Sequence, residues 1–537
     1  MAVSSTEGTM TTDAHDRESL SLGDSLFLYL EREGMPLNVA SVSVFEGVIP
    51  FTAFSRFIAS KLPIVPRYRQ RIAVPPFNIG LPAWENDPHF NLRNHLRQVT
   101  LKRGTDAEFK AAAAHILSAN MDRSRPLWDL TLVRGLQGNR TGFIIRIHHC
   151  MADGISGIGL MNALMDQSPV APRLSKSPPL PALPPSAPPA LLDSFLDACF
   201  SGVQRVLTAQ SELLSIAERL IASAGAKPAP ANGEAQGADV SDAAVPLMDQ
   251  LSRLIPEVGA PAERLPFNTI CRGPQKFCWT EISMAEFKAV KQACGATFND
   301  VALAAMVSAV RRYSELHGVR VKGRALRIVV PVNVRGNDDA SELGNRITFL
   351  PVTLPLDIKS PRKLMVAVRE QMTLLKNAHL AELVGVAGTL LGTIPSPLQA
   401  LLGPLISQLP ISLCNLICTN VRGPAAPLYL LGHQMLACYP YVPIGGEMGM
   451  NCAVLTYNGT AFFGFTGDVH AIPDLEQFEK LLNQSFAELR KRLAGPAPRQ
   501  KRAPAGNQVA AEAPTPPPAE APPVQPRAAA TPVAAVA

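Results

Sequence analysis

The stretch Ile144-Ile145-Arg146-Ile147-His148-His149-Cys150-Met151-Ala152-Asp153-Gly154-Ile155-Ser156 constrains this chain more than any other. Phe143 to Ile147 is a β-branched, mostly apolar run of strand length and reads as a short buried strand. Asp153-Gly154 is a turn signal, and Ile158 to Met165 then restores a helical period. Two histidines therefore end a strand just before a turn into a helix, where α/β architectures keep their chemistry. The pattern is HHxxxDG. The plain alternatives are two core histidines or a metal pair. Adjacent strand residues point to opposite faces and do not easily share one ion, so no metal is expected and the catalytic reading is preferred.

At 537 residues the chain is long for one core, which suggests two domains with unpacked segments between and after them. With 47% hydrophobic and 18% charged residues, the globular parts can bury a sizeable interior. A net charge of +6 suits an anionic phosphate ligand or an anionic membrane surface, but over this length it is no nucleic-acid signature. The nine cysteines are scattered without a CxxC. Cys414 and Cys418 have no histidine nearby and read as small buried apolar residues. No disulfide framework is implied, which fits a reducing cytosol. Met1 to Leu20 lacks the apolar centre of a signal peptide, and no uninterrupted run is long enough for a membrane span.

Helices are expected over Gly23–Glu31, Thr52–Leu62 and Glu108–Asn120, with a strand through Val42, Val44 and Phe45. Arg67, Arg69 and Arg71 recur at period two, as on a solvated strand edge, and Leu92–Leu101 is strand-like. Asp129–Val133 should form a hairpin with Gly142–His149. Ser168–Ala190 holds nine prolines and reads as an extended linker. Leu191–Ala224 follows as an amphipathic helix, and Gly225–Val245 as an unpacked segment. Further on, strands are expected at Cys278–Ile282, Leu326–Val334, Phe349–Leu356, Cys414–Asn420, Cys452–Tyr457 and Ala461–Phe465. Helices are expected at Met284–Cys294, from Thr297 to Leu316, at Pro361–Lys376 and at Leu475–Leu489. Leu383–Val421 contains no charged residue and is split by prolines; its pieces form core, line a fatty-chain pocket, or dip into a membrane surface.

Several segments together resemble one family, the bacterial wax ester synthase/acyl-CoA:diacylglycerol acyltransferases. They are Gly23 to Glu31 with Met35-Pro36, Pro126-Leu127-Trp128, His148 to Gly154, Asn299-Asp300, Asn420 to Tyr429, and Tyr457-Asn458-Gly459. HHxxxDG alone marks the wider superfamily of CoA-dependent acyltransferases, with chloramphenicol acetyltransferase and peptide-synthetase condensation domains. The other segments narrow it. The chain departs from the family pattern at Leu37-Asn38-Val39, where Asn38 replaces the usual histidine, and in its long proline-rich insert.

The resemblance implies an α/β fold of two similar chloramphenicol-acetyltransferase-like domains joined by a long crossover insert. The expected boundaries are 1–20 for a flexible N-terminus, 21–167 and 264–494 for the two domains, 168–263 for the insert and 495–537 for a disordered tail. The implied activity moves a long-chain acyl group from acyl-CoA to the hydroxyl of diacylglycerol or of a long-chain alcohol. Acyl-CoA is then a substrate, and no cofactor is expected.

A neutral imidazole, with an unperturbed pKa of about 6.5, suits removal of the hydroxyl proton. By family analogy His149 is that base and His148 packs or orients the loop. Asp153 holds the turn through an arginine, for which Arg335 and Arg146 are both candidates, and Gly154 permits the turn. Asn299 either donates to the oxyanion or caps the helix before Asp300. Pro126, Leu127, Trp128, Asn299 and Asp300 complete the expected substrate site. No serine or cysteine lies in a nucleophile-elbow pattern, so direct attack on the thioester is expected. The competing readings are an HHxxxDG enzyme with a polyketide or peptide-type acceptor, and a non-catalytic lipid-surface protein on the same fold. The expected location is cytoplasmic, peripheral to the inner face of the plasma membrane or to lipid bodies.

Overall fold

The computed structural model describes residues 18–151, 163–171, 211, 261–333, 347–377, 394–406 and 413–495. The expected helix from Ile158, the insert helix Leu191–Ala224, the unpacked segment after it and the C-terminal tail lie outside those residues, wholly or nearly so.

Two six-stranded sheets organise the described chain. The first contains β1 (Asn38–Glu46), β4 (Leu96–Thr100), β5 (Trp128–Leu136) and β6 (Arg140–His148), in the order β1-β6-β5-β4. The second contains β7 (Gln275–Ser283), β8 (Ala325–Asn333), β9 (Ile347–Pro355), β10 (Leu416–Arg422), β13 (Met450–Tyr457) and β14 (Thr460–Asp468), in the order β7-β14-β13-β10-β8-β9. The quartets β1-β6-β5-β4 and β7-β14-β13-β10 carry the same sequence of pairings: antiparallel, antiparallel, parallel. This is a mixed α/β fold with one pattern used twice, as the resemblance implied. A small ribbon, β2 (Gln70–Ala73) with β3 (Ala83–Asn86), lies apart.

The two halves are stitched together. β11 (Tyr429–Leu430) and β12 (His433–Tyr441) come from the second half but extend the first sheet, where β12 runs antiparallel to β1 from Ala40↔Tyr441 to Phe45↔Met435. β12 was not anticipated, because a bulge at Val44/Phe45 and a non-local partner hide its pairing from local sequence. Lys110 adds an ion pair across the halves, its Nζ 2.8 Å from Glu479 Oε2.

Apolar runs set the interior. β5 and β6 are buried on both faces almost throughout, as a continuous rather than alternating apolar strand requires. Helices α1 (Leu22–Leu30), α2 (Phe51–Lys61) and α3 (Asp106–Leu117) belong to the first half. Helices α4 (Met284–Cys294), α5 (Phe298–Leu316), α6 (Pro361–Asn377), α7 (Ser396–Ile406) and α8 (Leu475–Leu493) belong to the second. Both hairpins turn on residues with positive φ: Gly138-Asn139 between β5 and β6, and Asn458-Gly459 between β13 and β14.

Two expectations need correction. Of Arg67, Arg69 and Arg71, only Arg71 is in a strand, cross-paired with Glu85 at 2.7 Å. The other two sit in a 3₁₀ turn begun by Pro66, with Arg69 buried and Arg67 over the Trp84 ring. Leu92–Asn94 is likewise a 3₁₀ turn, and the strand begins only at Leu96.

Candidate active site

β6 delivers the two histidines. The His148 N–H donates to Leu127 O at 2.9 Å and the His149 N–H to Leu37 O at 2.9 Å, so one histidine is fixed from the chain entering β5 and the other from the chain entering β1. Their side chains then part, as strand geometry demands. His148 is fully buried, whereas the half-buried His149 ring stacks on Phe27 of α1, with centroids 3.8 Å apart and planes within 10°.

His148 is held by a group that sequence reasoning did not single out. Its Nδ1 accepts the Cys150 N–H at 3.2 Å, which assigns the ring proton to Nε2, and Nε2 lies 3.4 Å from Glu31 Oε1. Glu31 directly follows α1 and accepts from Leu37 N–H at 3.1 Å, Arg123 Nη2 at 2.8 Å and Arg123 Nε at 3.3 Å. Burial alone would push its carboxyl pKa up. The His148 Nε2–H beside it and the hydrogen bonds and charge of Arg123 outweigh burial and hold it at about 2. The signal was the segment Gly23 to Glu31 itself, but nothing local says that its closing glutamate turns inward.

Pro126, Leu127 and Trp128 are buried and form the wall behind His148. Trp128 stacks on His95 at 4.4 Å and donates Nε1–H to Tyr68 O at 2.8 Å. Opposite His148 on β1 is Asn38. Since Leu37 and His149 share a ladder hydrogen bond, Asn38 and His148 form the close, non-hydrogen-bonded pair on one face. Asn38 is fully buried, and neither of its side-chain polar atoms finds a partner among the described residues.

The second half brings two further segments together. Asn420 on β10 donates Nδ2–H to Asn299 Oδ1 at the start of α5. They meet where β10 has parted from β8, which it pairs only at Leu416 and Ile417. Asn299 does not cap α5. Thr297 does, in a reciprocal box where its Oγ1 accepts Asp300 N–H at 3.2 Å and Asp300 Oδ2 accepts Thr297 N–H at 2.7 Å. Tyr457 fastens the Asn420–Tyr429 segment from the other side, accepting Leu428 N–H at 2.8 Å and donating to Met435 O at 3.0 Å.

Arg146 is committed elsewhere. It is buried and forks onto Asp129, with a third nitrogen donating to Ile116 O and Ala119 O. Asp153, Gly154 and Arg335 lie outside the described residues. Burial drives the Cys150 thiol pKa well up, so this neighbour of the histidines is a poor thiolate.

A wall histidine locked by a carboxylate, beside a half-buried histidine stacked on an aromatic ring, is suited to moving one proton at a fixed place. Residues 20–302 match the family model described as the wax ester synthase/diacylglycerol acyltransferase catalytic domain, and residues 343–490 match its C-terminal domain. A probable diacylglycerol O-acyltransferase of Mycobacterium tuberculosis is 27% identical over 459 residues, covering 84% of this chain and 91% of its own. Among solved structures, the wax ester synthase/diacylglycerol acyltransferase of Marinobacter aquaeolei VT8 superposes with a TM-score of 0.58 at 21% identity, over 89% of this chain and 100% of that one. The starter condensation domain of rhizomide synthetase, bound to C8-CoA, gives a TM-score of 0.53 at 14% identity over 90% and 95%. The structural likenesses establish the shared fold, and the family match over more than half of the chain establishes that this protein belongs to the wax ester synthase/diacylglycerol acyltransferase family of acyltransferases.

Proposed function

We propose that this protein esterifies the hydroxyl of diacylglycerol or of a long-chain alcohol with the acyl group of acyl-CoA, using His149 as general base. The observation that carries this reading is the division of labour at the end of β6: His148 is fixed in the wall by Glu31, while His149 stands half-buried on Phe27. His149 takes the hydroxyl proton as the alcohol oxygen attacks the thioester carbonyl. The C–O bond forms, the tetrahedral intermediate collapses, the C–S bond breaks, and the proton passes from His149 to the departing thiolate. No acyl-enzyme is needed, and the buried Cys150 thiol beside the histidines is disfavoured as a nucleophile.

The test is thiol release from a long-chain acyl-CoA with and without acceptor. Release that needs diacylglycerol or alcohol, without a burst stoichiometric with enzyme, supports direct transfer. A burst in the absence of acceptor contradicts it.

The same reading places the enzyme at the inner face of the plasma membrane or on lipid bodies, because acceptor and product are both lipids. Among the described residues no single helix is long and apolar enough to cross a membrane. The reading takes the attachment to be peripheral, releasable by detergent more than by salt.

A further inference from the structure

Helix α7 is built inside out. A helix on a water-soluble protein turns its polar residues outward. Here Ser396 and Gln399 are buried, while Leu398, Leu401 and Leu405 face solvent at i, i+3 and i+7, Leu401 with 66% of its surface exposed. The orientation is locked. α7 packs on α1, and a Cβ at Gly403 would sit 2.8 Å from Tyr29 O, so this close approach requires glycine.

A second apolar element touches the first. The turn Pro76–Asn78 packs against α7 and holds Phe77 at φ 55°, a left-handed backbone that bulky residues rarely adopt, with 82% of its surface exposed. Val74 beside it is exposed as well. No charged residue occurs from Ile72 to Trp84, nor from Leu383 to Val421, so the two elements bring no charge of their own to a partner. Between the two elements opens a cavity of about 280 Å³. Val74, Asn78, Ala400 and Pro404 border it from the apolar elements, and Leu28, Tyr29, Glu31 and Arg123 line its α1 side. Glu31 is the carboxylate that locks His148.

We propose that Phe77, Val74 and the outward leucines of α7 seat the enzyme on a phospholipid bilayer, and that the cavity between them is the doorway through which the hydroxyl acceptor leaves the bilayer. The absence of charge selects a lipid layer over a protein partner, whose interface would carry a polar rim and paired charges. The continuity of the patch with a cavity reaching Glu31 gives the attachment a purpose. This proposal rests on the reading that the acceptor is a membrane-dissolved lipid.

The test uses the full-length protein and phosphatidylcholine vesicles with and without dioleoylglycerol. Two variants probe the surface. Phe77→Asn replaces a strained aromatic with a residue that tolerates positive φ, so its folding stability should hold or rise. Leu401→Gln with Leu405→Gln removes two outward leucines. Each variant should weaken co-flotation with vesicles about tenfold or more, as loss of buried apolar side chains implies. Binding of the unaltered protein should resist 1 M salt, because the two elements that enter the bilayer carry no charge. KM for vesicle-borne dioleoylglycerol should rise, while thiol release with a short water-soluble alcohol stays unchanged. Unchanged flotation in both variants overturns the proposal. So does a switch from dimer to monomer in gel filtration with flotation retained, which would make the occupant a second copy. Equal loss with both acceptors also overturns it, by making the patch structural. If no acceptor supports thiol release at all, the esterification reading fails, whereas flotation still reports on the surface.

Discussion

The β5–β6 and β13–β14 hairpins are the same device in the same place of two equivalent quartets, and they end differently. β6 ends in His148, with the second histidine one residue on; β14 ends in Asp468, in the matching position. Asp468 is fully buried and accepts four backbone N–H groups: Arg272 at 2.7 Å, Gly273 at 2.6 Å, His470 at 2.8 Å and Ala471 at 3.2 Å. His148 accepts one, from Cys150, and turns its other nitrogen to Glu31. One strand end is saturated by backbone N–H groups, two from its own loop and two from the chain leading into β7, and serves the architecture. The other end carries two imidazoles, one against Glu31 and one stacked on Phe27. Chemistry on a duplicated fold needs protonatable groups at just one of the two ends.

The largest expected effect falls on one hairpin only. His149→Ala should lower turnover by about 10²–10⁴-fold with the far-ultraviolet spectrum unchanged, whereas His470→Ala just beyond β14 should change turnover less than about twofold. A comparable loss at both positions would erase the distinction between the ends. Asp468→Ala reverses the pattern: leaving several buried N–H groups unpaired should cost about 3–5 kcal/mol of unfolding free energy by denaturant titration. Were Asp468→Ala fully stable but inactive, the second strand end would have to join the chemistry.

Glu31 sharpens the comparison through pH. Its folded pKa of about 2 lies below the ordinary 4.5, so its contribution is complete above the unfolded value and is lost as pH falls through the folded one. Glu31→Gln should therefore be less stable than the unaltered protein by about 3 kcal/mol near neutrality, the gap closing between about pH 4.5 and 2. Turnover should also fall about 10–100-fold through the misplaced His148, with KM for acyl-CoA little changed. A constant stability gap across that window would show that the carboxylate is not held by these charges. The smallest effect concerns the contact joining α5 to β10: Asn420→Ala should cost about 1 kcal/mol, measured by thermal unfolding. A neutral result would mean that Asn299 keeps its place without it.

Much of the architecture is legible in the sequence because it is local. β6 announces itself as an apolar β-branched run ending in two histidines, and α5 by Thr297 and Asp300 three apart. What could not be read depends on distant partners. β12 is a strand because β1, nearly four hundred residues earlier, offers its edge. Glu31 at the end of an apolar helix is indistinguishable in sequence from a solvated charge, until β6 and Arg123 close over it. Arg69 hides for the same reason. Asn299 reads as a cap in sequence because asparagine often is one, but Thr297 two residues earlier holds that place.

β12 also imposes an order of events on the ribosome. The sheet that carries the histidines keeps β1 as a bare edge until Tyr429 to Tyr441 have been made, long after β6 itself has emerged. At about 5–20 residues per second that interval is roughly tens of seconds, during which an unpaired edge invites pairing with other chains. A nascent first half is therefore an open-edged sheet rather than a finished domain. Interruption of synthesis between His149 and His433 leaves a fragment that holds both histidines but lacks the strand that covers β1.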